Sequence, residues 1–237
     1  MNNKVTKLIP LSRPEIAVFA SGISSMGLEI LAGRMIAPEF GSSIYTWGTI
    51  IGVFLTALAM GYQRGGEKSS EDKSCKQLGI LLLASTAYIA LVIFTYEEII
   101  SLSAMLQTPT RFASFLPVIL LFGPPTYLLG FISPYAAQLS DRNVKGDAAG
   151  RVYAVGTFGS IVGSFATTFL LVPFFSINSV GAILSGVLIL ATIYILYPSI
   201  SNEEIIYILI ICVGVASATV VPPLESSTSG KTLYQTQ

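Results

Sequence analysis

Two charged side chains lie inside an otherwise apolar stretch near the start of the chain. Glu29 and Arg34 belong to the segment EILAGRMIAPEFG. An ionisable group in the middle of a membrane span costs about 2.5–3.5 kcal/mol on insertion scales, so it is expected to face a partner or a water-filled cavity. Two roles fit Glu29: binding a cation, an amine or a proton, or acting as a buried carboxyl that hydrogen-bonds to a neighbouring helix.

Arg34 is not placed to pair with Glu29. Five residues of helix rotate Arg34 by about 140°, so the two side chains contact different neighbours. Arg34 lies near the outer end of its apolar segment, where a long cationic side chain can extend to the membrane interface. We expect Arg34 to anchor the helix at the interface or to pair with Glu39.

Aromatic and amide side chains add further candidates. Tyr45 and Trp47 open the second apolar segment, as interfacial aromatic residues do, and as ring walls they also suit a cation site. Tyr62 and Gln63 belong to GYQRGG at 61–66, which predicts a glycine-terminated helix end or a cytoplasmic gate. Gln138 lies at the end of the fourth apolar segment, and we expect it to belong either to a solvated loop or to a cytoplasmic gate. The candidate ligand-binding or buried polar residues are Glu29, Arg34, Tyr45, Trp47, Tyr62, Gln63 and Gln138.

The composition is that of a membrane protein. Of 237 residues, 52% are hydrophobic and 11% are charged, whereas charged residues make up about a quarter of an average soluble protein. The formal net charge is zero, which argues against a nucleic-acid partner. The chain has no histidine, so histidine metal sites and Ser-His catalysis are excluded, and we expect no cofactor or metal. Cys75 and Cys212 are predicted to be free thiols.

Apolar runs of about twenty residues predict an all-α fold, a polytopic transmembrane helix bundle of about seven spans. We expect one membrane domain at 1–221, followed by a polar tail at 222–237. The fourth span contains four prolines, which predict a kinked, tilted or broken helix, and 97–107 is predicted to be a separate interfacial helix. The predicted spans are 16–37, 44–62, 78–95, 112–139, 152–174, 179–197 and 204–221.

Basic residues predict the orientation. They concentrate in the N-terminal tail and in the loops after the second and fourth spans, whereas Arg111 and Lys231 lie on the other side. By the positive-inside rule the N-terminus is cytoplasmic, in a multi-pass protein of the cell membrane.

Small residues at helical spacing predict where helices pack closely. Gly156, Ser160 and Ser164 form one series in the fifth span, and Gly159 and Gly163 form another. The second span carries Gly48 and Gly52 at the same spacing, so 48–52 is predicted to pack likewise.

Two blocks of sequence resemble a known family. The first comprises Glu29, Arg34, Ala37, Pro38 and Gly41, then Tyr45, Trp47, Gly61, Tyr62, Gly65 and Gly66. The second is GRVYAVGTFGSIVGS at 150–164, followed by Pro173. In these residues the chain resembles the membrane domain of spermidine synthase-like membrane proteins, also described as fused major-facilitator/spermidine synthase proteins.

The resemblance implies a membrane component without catalysis on this chain. In that family an aminopropyltransferase-like domain usually follows the bundle, whereas this sequence stops at Gln237 in a stretch resembling the linker to such a domain. The implied role is to anchor a separate synthase or to handle its amine substrate or product. Alternatives are a stand-alone secondary transporter of a small amine or cation, and a structural subunit of a membrane complex. The expected partners are the lipid bilayer, a synthase-like subunit, other membrane subunits or a second copy of the chain.

Overall fold

The structure, a computed structural model, describes residues 11–71, 74–105, 112–140, 147–197 and 202–220. A π-helical turn at Thr167–Leu171 joins the fifth helix to the short sixth. No strand occurs within these ranges, so the predicted all-α class is confirmed. The helices are α1 (Arg13–Phe40), α2 (Ile44–Glu71), α3 (Cys75–Met105), α4 (Phe115–Ser140), α5 (Asp147–Ala166), α6 (Val172–Phe174), α7 (Ile177–Leu196) and α8 (Asn202–Val220).

The helices are those of a multi-pass membrane protein. In the part of the chain that is described, six helical segments are long and apolar enough to cross a bilayer, and the fifth of them, Ala149–Phe174, combines α5, the π-helical turn and α6. Helix α8 contributes a shorter apolar stretch, Ile205–Val215. A helical membrane bundle of about seven spans is thereby confirmed. The predicted tail at 222–237 lies outside the described residues.

Helix α1 is the central element of the bundle, because it packs against α2, α3, α4, α5 and α7. At its start, Ser12 donates its backbone N–H to the carboxylate of Glu15 over 2.7 Å, and Pro14 occupies the first turn. It ends at Gly41, whose φ of 74° suits glycine, and whose N–H bonds to the carbonyl of Ala37. Both ends of α1 are therefore defined by local sequence.

Glycines bring α1 and α5 into backbone contact. A Cβ atom added to Gly159 or Gly163 would overlap the carbonyl oxygen of Phe19 or Ile23, respectively. On the facing helix, a Cβ atom on Gly22 would lie 3.1 Å from the hydroxyl of Ser160. The prediction that these small residues of the fifth span form a packing face is confirmed.

The packing prediction for α2 was wrong in position. Gly48 and Gly52 face open space, whereas added Cβ atoms on Gly61 and Gly65 would overlap backbone carbonyls of α4. The segment 61–66 is therefore not a helix end: α2 continues to Glu71, and these two glycines allow it to approach α4.

The fourth span is not broken. Helix α4 continues from Phe115 to Ser140 with Pro124, Pro125 and Pro134 inside it. The irregular helix is the fifth span instead, where the N–H of Val172 bonds to the carbonyl of Thr167, five residues back. Proline clashes with the carbonyl four residues before it, and for Pro173 that residue lies inside the π-helical turn, whose wider winding relieves the contact.

The predicted interfacial helix at 97–107 is not separate. Residues 97–105 continue α3, whose 31 residues extend about 46 Å, well beyond the roughly 30 Å of a hydrocarbon core. The last two predicted residues lie outside the described ranges. The amphipathic pattern of this segment is explained by the end of α3 projecting past the membrane.

Candidate functional site

A polar cavity of about 110 Å³ lies between α1, α2, α4 and α5. It occupies the half of the bundle nearer the N-terminal face, by which we mean the end where α1 and α5 begin and α2 and α4 finish. Seven of its lining side chains carry hydroxyl groups, and we name it the hydroxyl cavity. These are Ser21, Ser25, Tyr62, Ser133, Tyr153, Thr157 and Ser160.

The inner wall of the hydroxyl cavity has one unsatisfied polar group. Ser21 donates its hydroxyl to the carbonyl of Val18 over 3.3 Å. Ser25 is 6% exposed, and its Oγ has no hydrogen-bond partner among the described residues. Buried hydroxyls are usually bonded, so the Ser25 hydroxyl at the cavity wall is available to a ligand or a water.

The outer edge of the cavity is open. Tyr62 of α2 and Tyr153 of α5 are both about half exposed, and Thr157 is exposed beside Tyr153. Helix α2 packs chiefly on α4, and α5 packs chiefly on α1. The cavity therefore has an aromatic entrance on its less covered side.

Glu29 lies directly beyond the cavity, on the same face of α1. Residues Gly22, Ser25 and Met26 line the cavity, and Glu29 follows them by seven, four and three positions. These spacings place Glu29 on one stripe of the helix with them, about 6 Å along the axis from Ser25. Glu29 is not itself a lining residue, but helical side chains lean toward the N-terminus, so a carboxylate at this position is within reach of the cavity.

Glu29 has no partner in the described structure. Its side chain is half-buried, and no hydrogen bond or ion pair reaches its carboxylate from the described residues. Other carboxylates differ in one of these respects: Glu15 is paired, Glu67 contacts Arg64, and Glu39 is exposed. An unpaired carboxylate near the middle of the central span needs a counter-charge or a proton.

An ion pair lies beyond the cavity toward the N-terminal face. Arg151 of α5 donates to the carboxylate of Glu15 of α1 over 2.8 Å, and the Glu15 side chain is only 6% exposed. Val18, three residues after Glu15, and Tyr153, two residues after Arg151, line the cavity. Glu15 and Arg151 thus tie together the two helices that border the cavity.

Trp47 packs against α1 beyond Glu29, on the side away from the hydroxyl cavity. A Cβ atom on Gly33 would lie 2.6 Å from Cη2 of Trp47, so the six-membered ring of the indole packs directly against this glycine. Gly33 follows Glu29 by four residues, which is about one helical turn. Trp47 is therefore a packing residue within one turn of Glu29, in addition to any interfacial role.

Arg34 has a defined role in the fold. Its Nη1 donates to the carbonyl oxygen of Val172 over 2.9 Å and to that of Phe175 over 2.7 Å. These carbonyls belong to the end of the fifth span, where helix termini leave acceptors without intrahelical donors. The expected pairing with Glu39 does not occur, because Arg34 caps this helix end instead.

The remaining predicted residues lie away from the cavity. Gln63 donates to Glu67 over 3.3 Å on the exposed surface of α2. Gln138 of α4 donates to the carbonyl of Gly66 over 3.2 Å and links the ends of α2 and α4. Tyr45 is half exposed near the start of α2. Of the seven predicted residues, Tyr62 lines the cavity, Glu29 lies one turn from it, and Trp47 packs one turn beyond Glu29.

The serines and Tyr153 of the cavity were missed by sequence reasoning. Serines are ordinary small residues in membrane helices, and the spacing of Ser160 predicts a packing residue only. The available signal was the run Ser21, Ser25 and Glu29, in which polar residues recur every four positions on one face of α1. In the described ranges no three potential metal ligands among His, Cys, Asp and Glu come together.

A larger groove of about 730 Å³ lies between α2, α3 and α4, but its chemistry is apolar. The hydroxyl of Thr56 donates to the carbonyl of Gly52, and that of Tyr88 donates to the carbonyl of Leu120. The groove contains no charged side chain among the described residues, and it is bordered by residues of apolar spans. Lipid acyl chains suit this surface, whereas the hydroxyl cavity suits a polar ligand.

No protein family model, curated protein or solved structure matches this chain. Its function is therefore inferred from the geometry of the cavity and from Glu29.

Proposed function

We propose that this protein is a non-catalytic membrane protein that binds a small cationic amine in the hydroxyl cavity. The observation that carries the proposal is the unpaired carboxylate of Glu29, one turn above the buried and unsatisfied hydroxyl of Ser25. Together they offer a negative charge and a hydrogen-bond acceptor one helical turn apart on the same face of the central helix. A cation is the ligand that satisfies both groups.

The chemistry of an ammonium group fits this arrangement. A primary ammonium has three N–H donors. Glu29 accepts one of them in a charge-assisted hydrogen bond, and Ser25 accepts another. The rings of Tyr62 and Tyr153 at the entrance supply cation–π attraction during entry. Because Ser25 is buried and Glu29 is half-buried, the attraction between carboxylate and ammonium is stronger than at an exposed surface.

The cellular context follows from the basic residues and from the family resemblance. Arg13, Arg64 and Lys68 lie at the N-terminal face, which supports a cytoplasmic N-terminus in the cell membrane. The link to a spermidine synthase-like system depends on the resemblance alone and stays a prediction. Its test is co-purification: a tagged chain isolated from its native host without any synthase-like protein would contradict a split enzyme.

The binding proposal is tested with radiolabelled methylammonium and purified protein in lipid nanodiscs. We expect saturable binding to the wild type and its loss in Glu29→Gln. Glu39→Gln is the matched control, because Glu39 is an exposed carboxylate on the same helix. Equal binding by wild type and Glu29→Gln, or no saturable binding by either, would overturn the proposal.

A carrier is the second candidate, and the π-helical turn in the fifth span favours it. Such turns are frequent at functional sites, and interrupted helices border the binding sites of many transporters. Uptake of methylammonium into proteoliposomes that depends on Glu29 supports a carrier. Binding without uptake supports a component that holds an amine without carrying it across the membrane.

A further inference from the structure

We infer that the hydroxyl cavity selects ligands with one positive charge and a short carbon chain, and that it discriminates against diamines and polyamines. The inference rests on the proposed amine binding and specifies its substrate class. It follows from the volume of the cavity, the number of available carboxylates and the uncharged lining of the cavity.

The volume limits the size of the ligand. An apolar cavity of about 150 Å³ holds benzene, which has six carbon atoms. The hydroxyl cavity has about 110 Å³. On this scale it accommodates about four non-hydrogen atoms, as in the carbon chain of a butylammonium ion, and is too small to enclose spermidine.

The carboxylates limit the charge of the ligand. Glu29 is the only acidic side chain near the cavity that lacks a partner, among the residues that the structure describes. Glu15, on the same helix, already accepts from Arg151 over 2.8 Å and from the backbone N–H of Ser12. At 1.5 Å per residue Glu15 also lies about 21 Å along α1 from Glu29, much farther than the two nitrogens of 1,4-diaminobutane are separated.

The interior of the hydroxyl cavity offers a second ammonium no counter-charge. A diamine bound to Glu29 by one nitrogen would direct the other into the hydroxyl cavity, where no described lining residue carries a negative charge. The serine hydroxyls there accept hydrogen bonds but bring no negative charge. A buried charge without a counter-charge weakens binding strongly, so the second ammonium lowers the affinity of the diamine.

The test is competition between two ligands of equal carbon chain and different charge. Unlabelled n-butylamine and 1,4-diaminobutane are titrated against radiolabelled methylammonium on wild-type protein in nanodiscs, and the signal of Glu29→Gln is subtracted. We expect n-butylamine to displace methylammonium at a concentration about tenfold lower than the diamine does. If the diamine displaces methylammonium equally well or better, the inference is overturned but amine binding stands. The same holds if methylammonium binds and neither amine displaces it.

A variant provides the reciprocal test. Ser25→Asp places a second carboxylate one turn from Glu29 on the same face of α1. We expect this variant to bind 1,4-diaminobutane better than n-butylamine, which reverses the wild-type order. A folded variant that keeps the wild-type order would contradict the role of charge number. Absence of methylammonium binding to wild type, in contrast, overturns the proposed function itself.

Discussion

Arg151 of α5 forms a 2.8 Å ion pair with Glu15 of α1, and this contact joins the first turns of the two helices that border the hydroxyl cavity. The pair is asymmetric, because the Glu15 side chain is 6% exposed and that of Arg151 is 42% exposed. The buried carboxylate therefore depends on its partner more than the arginine does. That asymmetry decides which substitutions are informative.

Removing Arg151 leaves a buried carboxylate without its counter-charge. We expect Arg151→Ala to lower the free energy of unfolding by about 1–2 kcal/mol, a value reduced by the solvent exposure of the arginine. The measurement is thermal unfolding of the purified protein in detergent. Arg64→Ala is the control, since Arg64 and Glu67 are 3.8 Å apart and both more than half exposed. A similar loss in both variants would mean that burial of Glu15 does not matter.

The glycine contacts between α1 and α5 predict a position-dependent effect of one methyl group. Gly163→Ala forces a Cβ atom against the backbone carbonyl of Ile23, which neither helix can avoid without moving apart. We expect a loss of about 1–3 kcal/mol, as for overpacking elsewhere. Gly48→Ala is the same substitution facing open space and should leave the unfolding temperature unchanged or slightly higher. Equal effects at the two positions would contradict the packing described for α5.

Arg34 stabilises the end of the fifth span through two carbonyl groups. Arg34→Ala removes both hydrogen bonds, and we expect a loss of about 2 kcal/mol in unfolding free energy. Hydrogen exchange should increase locally around Val172 and Phe175. Arg34→Lys keeps the charge and should retain part of the stability. Arg13→Ala, an exposed arginine at the other end of α1, serves as the control.

Substitution of Ser25 is expected to change ligand affinity and stability in opposite directions. Its hydroxyl is buried without a partner among the described residues, so Ser25→Ala removes an unsatisfied group, and we expect unfolding free energy to stay equal or to rise by about 0.5–1 kcal/mol. Methylammonium affinity should nevertheless fall. Ser85→Ala removes an equally buried hydroxyl that bonds to the carbonyl of Leu81, and it should not change affinity. Unchanged affinity in Ser25→Ala would show that Ser25 does not contact the amine.

Trp47 is the single tryptophan of the chain, so intrinsic fluorescence reports its contact with Gly33. Gly33→Ala introduces a Cβ atom 2.6 Å from the original position of Cη2 and displaces the ring. We expect acrylamide to quench the emission more strongly in this variant than in the wild type. Gly52→Ala, where the glycine faces open space, should leave quenching unchanged.

Sequence patterns predicted the helical class, the spans and the packing face of α5, because regularly spaced glycines in an apolar helix favour close contact with a neighbouring helix. The same spacing at Gly48 and Gly52 gave a wrong prediction. Such a spacing shows that a neighbouring helix could approach closely, but it does not show whether a helix lies there. The partners of Arg34 were not predictable from side chains, because they are backbone carbonyls made available by the irregular winding near Pro173. Glu29 stood out by its charge, whereas Ser25 became a candidate only when its lack of a partner was visible.

The π-helical turn at Thr167–Leu171 has a consequence for insertions and deletions in the fifth span. Such a turn holds one residue more than the α-helix it replaces, so the residues after it are rotated by about 100° relative to an uninterrupted helix. Gly159 and Gly163 before the turn face α1, and the carbonyls of Val172 and Phe175 after it also meet α1, at Arg34. Deleting one residue within the turn would shorten the span only slightly but would swing its outer end away from Arg34. The one extra residue in the turn therefore determines both the length of this span and the rotation about its axis of the residues that follow.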